Sequence, residues 1–249
     1  MQHNLDLDKL AIELKISTDR LGKNIATYAA MSELFPALEV AGCEVGLFGG
    51  TALNKIYFGK RQRLSYDLDI FVYNYDKTME ALKKNGAKVK YSGVAPMNKK
   101  AVSMKMEYRD IILDIVNAKD EIKPMKLQAF DLLYYYDRLL PPVVVPSYPL
   151  EYLLAEKTMA LLDRNELRDI YDTWTGISLL KNIEGYAKYI KKAAKARGAG
   201  DIVTYADFQI MNMLQNVSYY EKKEIEVSSI HPNTPTMLKG IKAFLDTNI

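Results

Sequence analysis

The sequence predicts an α+β protein. A small mixed-sheet domain with N-terminal helices spans residues 1–130, and a helical domain spans residues 131–249. Three observations predict it. Strand-length apolar or alternating runs crowd into residues 45–116, at Val45 to Phe48, Leu68-Ile70-Val72 and Ile111 to Val116. From residue 150 onward the apolar residues recur at helical spacing instead. Between the two lies a stretch at 124–149 punctuated by Pro141, Pro142, Pro146 and Pro149, which reads as a connector.

Taken in order, Leu21, Ile25, Tyr28, Ala29, Leu34, Phe35 and Leu38 sit near helical spacing, with Ser17 and Thr18 as candidate N-caps. Val45 to Phe48 reads as a buried strand that breaks at Gly49-Gly50, and Ala52 to Phe58 as a short helix after the turn. Residues 67–73 alternate as a strand, and Asp76 to Asn85 form a helix stopped by Gly86. Strands are predicted at 87–92, 101–108 and 111–116. A strong helix is predicted over 150–163. Further helices fit 178–197, 204–218 and 234–247, with Thr204 and Asp207 as a variant capping box.

Composition narrows the chemistry. Of 249 residues, 34 are Lys or Arg and 31 are Asp or Glu, a net charge of +3 that by itself argues for neither nucleic-acid nor membrane binding. One cysteine, Cys43, excludes an intrachain disulfide and a cysteine metal cluster. With His3 and His231 the only histidines, a metal must be held mainly by carboxylates, which points to Mg²⁺ or Mn²⁺ rather than zinc. The N-terminus lacks the basic start and apolar run of a secretory signal, and no segment has the length of uncharged apolar chain that spans a bilayer. A soluble, cytoplasmic protein with no membrane partner is expected.

The informative segment runs from Gly49-Gly50-Thr51 to Asp67-Leu68-Asp69. A strand that ends in glycines and gives way to a helix brings backbone and unpaired N–H groups close to an anion, a possible phosphate cradle. Asp67 and Asp69, two apart on a strand, face the same side. Alone, such a pair is commonly two solvated acids at a strand end. Asp114 changes the balance, because a charge inside Ile111 to Val116 is costly unless it is paired or binds a cation. If the two strands are neighbours, three carboxylates converge. Three hard oxygen donors beside a phosphate cradle suit phosphoryl chemistry with a divalent cation.

Gly50-Thr51, Asp67-x-Asp69 and the later strand Asp114 resemble the DNA polymerase beta-like nucleotidyltransferase superfamily. Within it, Gly-Gly-Thr-Ala-Leu at 49–53 and Arg-x-Ser-x-Asp-Leu-Asp at 63–69 resemble the AbiEii/AbiGii-type nucleotidyltransferase toxin family. Glu151 to Lys157, then Arg164, then Arg168-Asp169-Ile170-Tyr171-Asp172 extend the match, which covers about 44–175. The sequence departs from the usual pattern at Thr51, where the superfamily has Ser, and at Arg168, where some members have Lys. The resemblance implies transfer of NMP from an NTP to an acceptor hydroxyl with release of pyrophosphate. It implies that Asp67, Asp69 and Asp114 are catalytic and hold Mg²⁺ or Mn²⁺. Gly49, Gly50 and Thr51 then contact phosphate. Lys157 is the choice for a further NTP phosphate contact, with Asp169 either orienting it, binding a base or ribose, or forming a structural ion pair with an Arg. The acceptor implied is tRNA or another RNA, and a cognate antitoxin is implied as partner. A small-molecule or protein hydroxyl acceptor, or a binding module without turnover, are the competing readings.

Several residues stay open. Arg63 either approaches the triphosphate or neutralises the acidic strand end. Ser65 is expected to bond the turn backbone and order the Asp67 loop. If 151–168 is one helix, Lys157, Arg164 and Arg168 share a face. Lys188, Lys191, Lys192, Lys195 and Arg197 form a basic patch that either touches phosphate or is a solvated face. Lys99-Lys100 with Lys105 carry the same two readings. Tyr134-Tyr135-Tyr136 either stack bases or pack, Trp174 is expected to pack between helices, and Cys43 is expected to be a buried, inert thiol.

Overall fold

A computed structural model describes residues 7–94, 102–118, 122–136, 140–221 and 233–249. The chain divides into two compact units, with the boundary between Tyr148 and Pro149.

In the first unit, α1 (Leu7–Leu14) and α2 (Thr18–Val40) precede the sheet. Ser17 caps α2 by accepting the Arg20 N–H, and Leu21, Tyr28, Met31, Leu34, Phe35 and Leu38 line its buried face. The strands are β1 (Val45–Phe48), β2 (Asp67–Val72), β3 (Lys88–Val94), β4 (Val102–Tyr108), β5 (Ile111–Asn117), β6 (Met125–Ala129) and β7 (Val143–Ser147), in the order β3-β4-β5-β2-β1-β7-β6. A helix, α4 (Tyr75–Lys84), joins β2 to β3. β1 pairs antiparallel with β2, and β2 pairs parallel with β5. Leu68, Ile70, Val72, Leu113 and Ile115 are wholly buried on one face, whereas Asp67, Asp69 and Asp114 alternate with them on a half-open face.

Residues 131–148, expected within the helical part, belong to the first unit, and the predicted connector contains two strands of the sheet. Proline misleads there because it removes a ladder donor. The sheet accommodates Pro146 because β7 meets β1 only at Leu47–Ser147, where the Ser147 hydroxyl also donates to the Leu47 carbonyl at 2.7 Å. Leu132 and Leu133 join Leu10, Leu14, Leu21 and Leu64 in one apolar cluster.

The second unit is helical: α5 (Leu150–Arg164), α6 (Leu167–Leu179), α7 (Ile183–Ala196), α8 (Ile202–Gln215), α9 (Val217–Glu221) and α10 (Thr234–Asn248). Asn165, at φ 54°, ends α5 in a left-handed cap. A single helix over 151–168 is therefore corrected to two, and Arg168 stands exposed on α6 apart from the Lys157 face. The helix expected at 178–197 likewise begins at Ile183. The N-cap of α8 is Asp201, which accepts the Thr204 N–H at 3.0 Å, so Thr204 is the third residue of the helix rather than its cap. Trp174 lies 3.8 Å from the position a Cβ would take on Gly240, the helix-to-helix packing expected of it.

Candidate active site

The turn after β1 is built around Gly49. Its φ is +71°, and a Cβ there would collide with the Asp69 carboxylate. The glycine thus meets two demands: a left-handed backbone and room for an acid from the neighbouring strand. Its helix begins three residues earlier than expected. α3 (Gly49–Ala52) takes in Gly49, Gly50 and Thr51, and continues as a π-helical turn over Leu53–Tyr57. The first-turn N–H groups of α3 have no acceptor within the helix.

Thr51 is buried, and its hydroxyl points inward. It meets the Ser65 hydroxyl and donates to the Asp67 carbonyl at 2.7 Å. Ser65 is thus tied to the turn through the threonine side chain rather than through backbone, and its own N–H donates to Asn24 Oδ1 at 3.2 Å. Arg63 is nearly buried; its guanidinium donates to the Leu64 carbonyl at 3.0 Å, and its N–H donates to Asn54 Oδ1 at 2.7 Å. The opposite end of Asn54 donates to the Gly50 carbonyl at 2.8 Å. Turn and strand entry are one hydrogen-bonded piece.

Register brings the acids together. Asp69 is the Cα partner of Asp114 across β2 and β5, and Phe48 is its partner across β1. Asp67 stands one pleat along on the same half-open face. The donor set is hard carboxylate oxygen, the chemistry a divalent cation of the Mg²⁺ type takes. In the arrangement seen, Asp114 is held by Lys105, whose Nζ lies 2.8 Å from Oδ1. Among the described residues no three His, Cys, Asp or Glu side chains are gathered closely enough to share a cation. The donor chemistry suits a divalent cation, and one that bound Asp114 would have to displace Lys105 from it.

Lys157 and Asp169 lie in the second unit. The Lys157 ammonium is 2.9 Å from Asp169 Oδ1 and 3.0 Å from Asp172 Oδ2, all three side chains being almost wholly buried. Arg164 closes a fork on Asp169, Nε to Oδ2 at 2.6 Å and Nη2 to Oδ1 at 2.9 Å. Burial pushes the Asp169 carboxyl up, but the Arg164 hydrogen bonds and the Lys157 charge outweigh it and hold the pKa at about 2. Of the roles left open, the geometry realises two together: Asp169 orients Lys157 and forms an ion pair with Arg164.

A buried network escaped the sequence. Lys55, inside the π-helical turn, donates to Asp131 at 2.7 Å and to Asn24 at 2.9 Å, and both charged side chains are fully buried. Asn24 also donates to Asp131 at 3.0 Å, so one asparagine links the ion pair to Ser65. The available signal was polarity on an apolar face: Asn24 between Leu21 and Tyr28, Lys55 between Leu53 and Ile56. Elsewhere, Cys43 is half-buried rather than buried, and Tyr134 is exposed with its ring edge-on to Tyr135. The side chain of Tyr136, together with Lys99, Lys100 and His231, lies outside the described residues.

The profile of the family described as Nucleotidyl transferase AbiEii toxin, Type IV TA system, matches residues 43–232. Among solved structures, the chain is similar to MenT4, a nucleotidyltransferase toxin from Mycobacterium tuberculosis H37Rv. The identity is 14% and the TM-score 0.59, over 98% of this chain and 90% of that one. It is also similar in fold to the antibiotic-resistance factor ANT(2'')-Ia, at 12% identity and TM-score 0.51, over 71% of this chain and 95% of that one. No curated protein matches the chain.

Proposed function

The chain belongs to the AbiEii family of nucleotidyltransferase toxins, and from that premise we propose that it transfers an NMP from an NTP to a hydroxyl of RNA, tRNA foremost. It is a nucleotidyltransferase. In the reaction, the acceptor oxygen forms a bond to the α-phosphorus, the bond from that phosphorus to the bridging oxygen breaks, and pyrophosphate leaves with the electron pair. The hydroxyl proton departs to a base.

The observation that carries this reading is the register that seats Asp69 beside Asp114, with Asp67 one pleat along on the same half-open face. Asp67, Asp69 and Asp114 would hold the divalent cation. Bound there, Mg²⁺ or Mn²⁺ supplies charge stabilisation of the attacking and leaving oxygens. Asp114 would also take the acceptor proton. Gly49, Gly50 and Thr51 offer backbone N–H groups to phosphate, while the Thr51 hydroxyl and Arg63 fix the loop that carries Asp67. Lys157, oriented by Asp169 and Asp172, is the proposed contact to the NTP phosphates. A type IV family implies an antitoxin encoded as its partner.

The test offers each of four α-labelled NTPs, separately, to the enzyme with Mg²⁺ and total RNA, beside Asp69→Asn. The expected result is label in a tRNA-sized band with the wild type and none with the variant. Pyrophosphate release without label in RNA overturns the acceptor. Neither label nor pyrophosphate overturns the reaction.

A further inference from the structure

Helix α7 buries Tyr186, Ile190, Ala193 and Ala194 and packs against α5. Its other face carries Lys188, Lys191, Lys192 and Lys195, all exposed. Their offsets of 0, 3, 4 and 7 make one stripe, about 10 Å long at the rise of an α-helix. Among the described residues, none of the four stands within 4.0 Å of a carboxylate; exposed Lys15, Lys88 and Lys239 share that state, but on α7 it recurs four times along one helix face, whereas several other lysines are paired. Lys23 meets Asp19, Lys90 meets Glu107, Lys126 meets Glu39 and Lys242 meets Asp246. Arg197, grouped with the stripe by sequence, is different: its guanidinium is held by Glu156 at 2.8 Å and lies 3.4 Å from Asp163. Lys191 feels Asp201 at longer range, but that carboxylate is engaged as the cap of α8.

Like charges one turn apart on a helix repel. Four of them on a face anchored this firmly are a surface that a polyanion stabilises. A protein partner is the weaker fit, because protein interfaces are depleted in Lys and built on aromatic and apolar anchors. A nucleic acid backbone presents closely and regularly spaced negative charge, and Lys neutralises it without reading sequence. We infer that the Lys188–Lys195 face of α7 docks the phosphodiester backbone of the RNA acceptor. The inference rests on the reading of the acceptor as RNA.

Two variants test it: Lys→Gln at all four positions, and Lys→Arg at the same four. Binding of labelled, unfractionated tRNA is measured without NTP over a range of salt, with circular dichroism as the check on folding. The Gln variant is expected to bind about tenfold or more weakly at 0.1 M salt. The slope of log K against log salt is expected to shrink by about 3, roughly 0.7 per lysine. KM for RNA rises while kcat and KM for NTP hold, and the Arg variant behaves as wild type. Lys191→Gln with Lys195→Gln shows about half the change in slope, which keeps the test usable should the quadruple variant unfold. Unchanged affinity and slope overturn the inference. So does a variant that loses binding to poly-glutamate yet keeps tRNA. If the wild type labels RNA but the Gln variant keeps its KM, the docking face falls and the acceptor stands. If the wild type neither binds tRNA nor labels RNA, both fall.

Discussion

Lys105 and Asp114 face each other across the β4–β5 ladder as register partners, with the lysine Nζ 2.8 Å from one carboxylate oxygen and 3.1 Å from the other. The lysine stands where a cation that binds Asp114 would compete with it. Lys105→Met is therefore expected to tighten Mn²⁺ binding about two- to fivefold, the range an exposed ion pair is worth. Calorimetric titration without nucleotide reads this directly; weaker binding in the variant would mean that Lys105 supports the site rather than competes for it.

Gly49→Ala is expected to damage site and stability together. The left-handed backbone costs about 1–2 kcal/mol for a residue with a Cβ, and the added carbon pushes the Asp69 carboxylate away. Urea unfolding should show a loss of that size, with turnover falling at least about 100-fold. Adding Asp69→Gly should restore part of the stability, since the clash is relieved and the backbone strain remains. No recovery would mean that the carboxylate is not what crowds the turn.

The Lys55–Asp131 pair should be expensive to break and cheap to replace. Lys55→Met strands a fully buried carboxylate, expected to cost about 3–5 kcal/mol. Lys55→Met with Asp131→Leu should recover most of it. The comparison is of denaturation midpoints at constant slope. Equal losses in the single and double variants would refute the charge argument.

Asp169 gives the second unit an acid limit. Its folded pKa of about 2 lies below the ordinary value of 3.8. The stability it contributes is therefore fully present above pH 4 and is lost as pH falls toward 2, a total of about 2 kcal/mol. Arg164→Gln removes the fork that opposes burial, so the folded pKa rises and acid unfolding begins at higher pH. The single tryptophan, Trp174, sits on α6 with Asp169 and reports the transition by fluorescence. An unmoved acid midpoint would count against the fork.

Much of this was legible in the sequence, for identifiable reasons. Leu68, Ile70 and Val72 announce a strand by alternation, and Asp114 is conspicuous because its neighbours are apolar. What stayed hidden depends on partners far away in the chain. Lys55 finds Asp131 across 76 residues; its polarity among apolar neighbours marks the lysine, but nothing local names its partner. β7 reads as a connector because of its proline, and only its neighbours in the sheet make it a strand. Asn165 ends α5 by a left-handed conformation that asparagine tolerates but does not compel, so the two helices read as one. Arg197 looked like part of a basic patch because its acids, Glu156 and Asp163, come from another helix.

The link between Ser147 and Leu47 spans 100 residues and sets a birth order. On the ribosome, β1 emerges with the Gly49 turn but lacks its far-side neighbour until residues 143–147 have been made. At about 5–20 residues per second that delay is about 5–20 s. Asp131, the counter-charge of Lys55, arrives only shortly before. The nascent chain thus carries its acids early and the frame that aims them late. An interrupted translation product ending before 131 lacks that frame, so the cell meets an armed enzyme only after the first unit is complete.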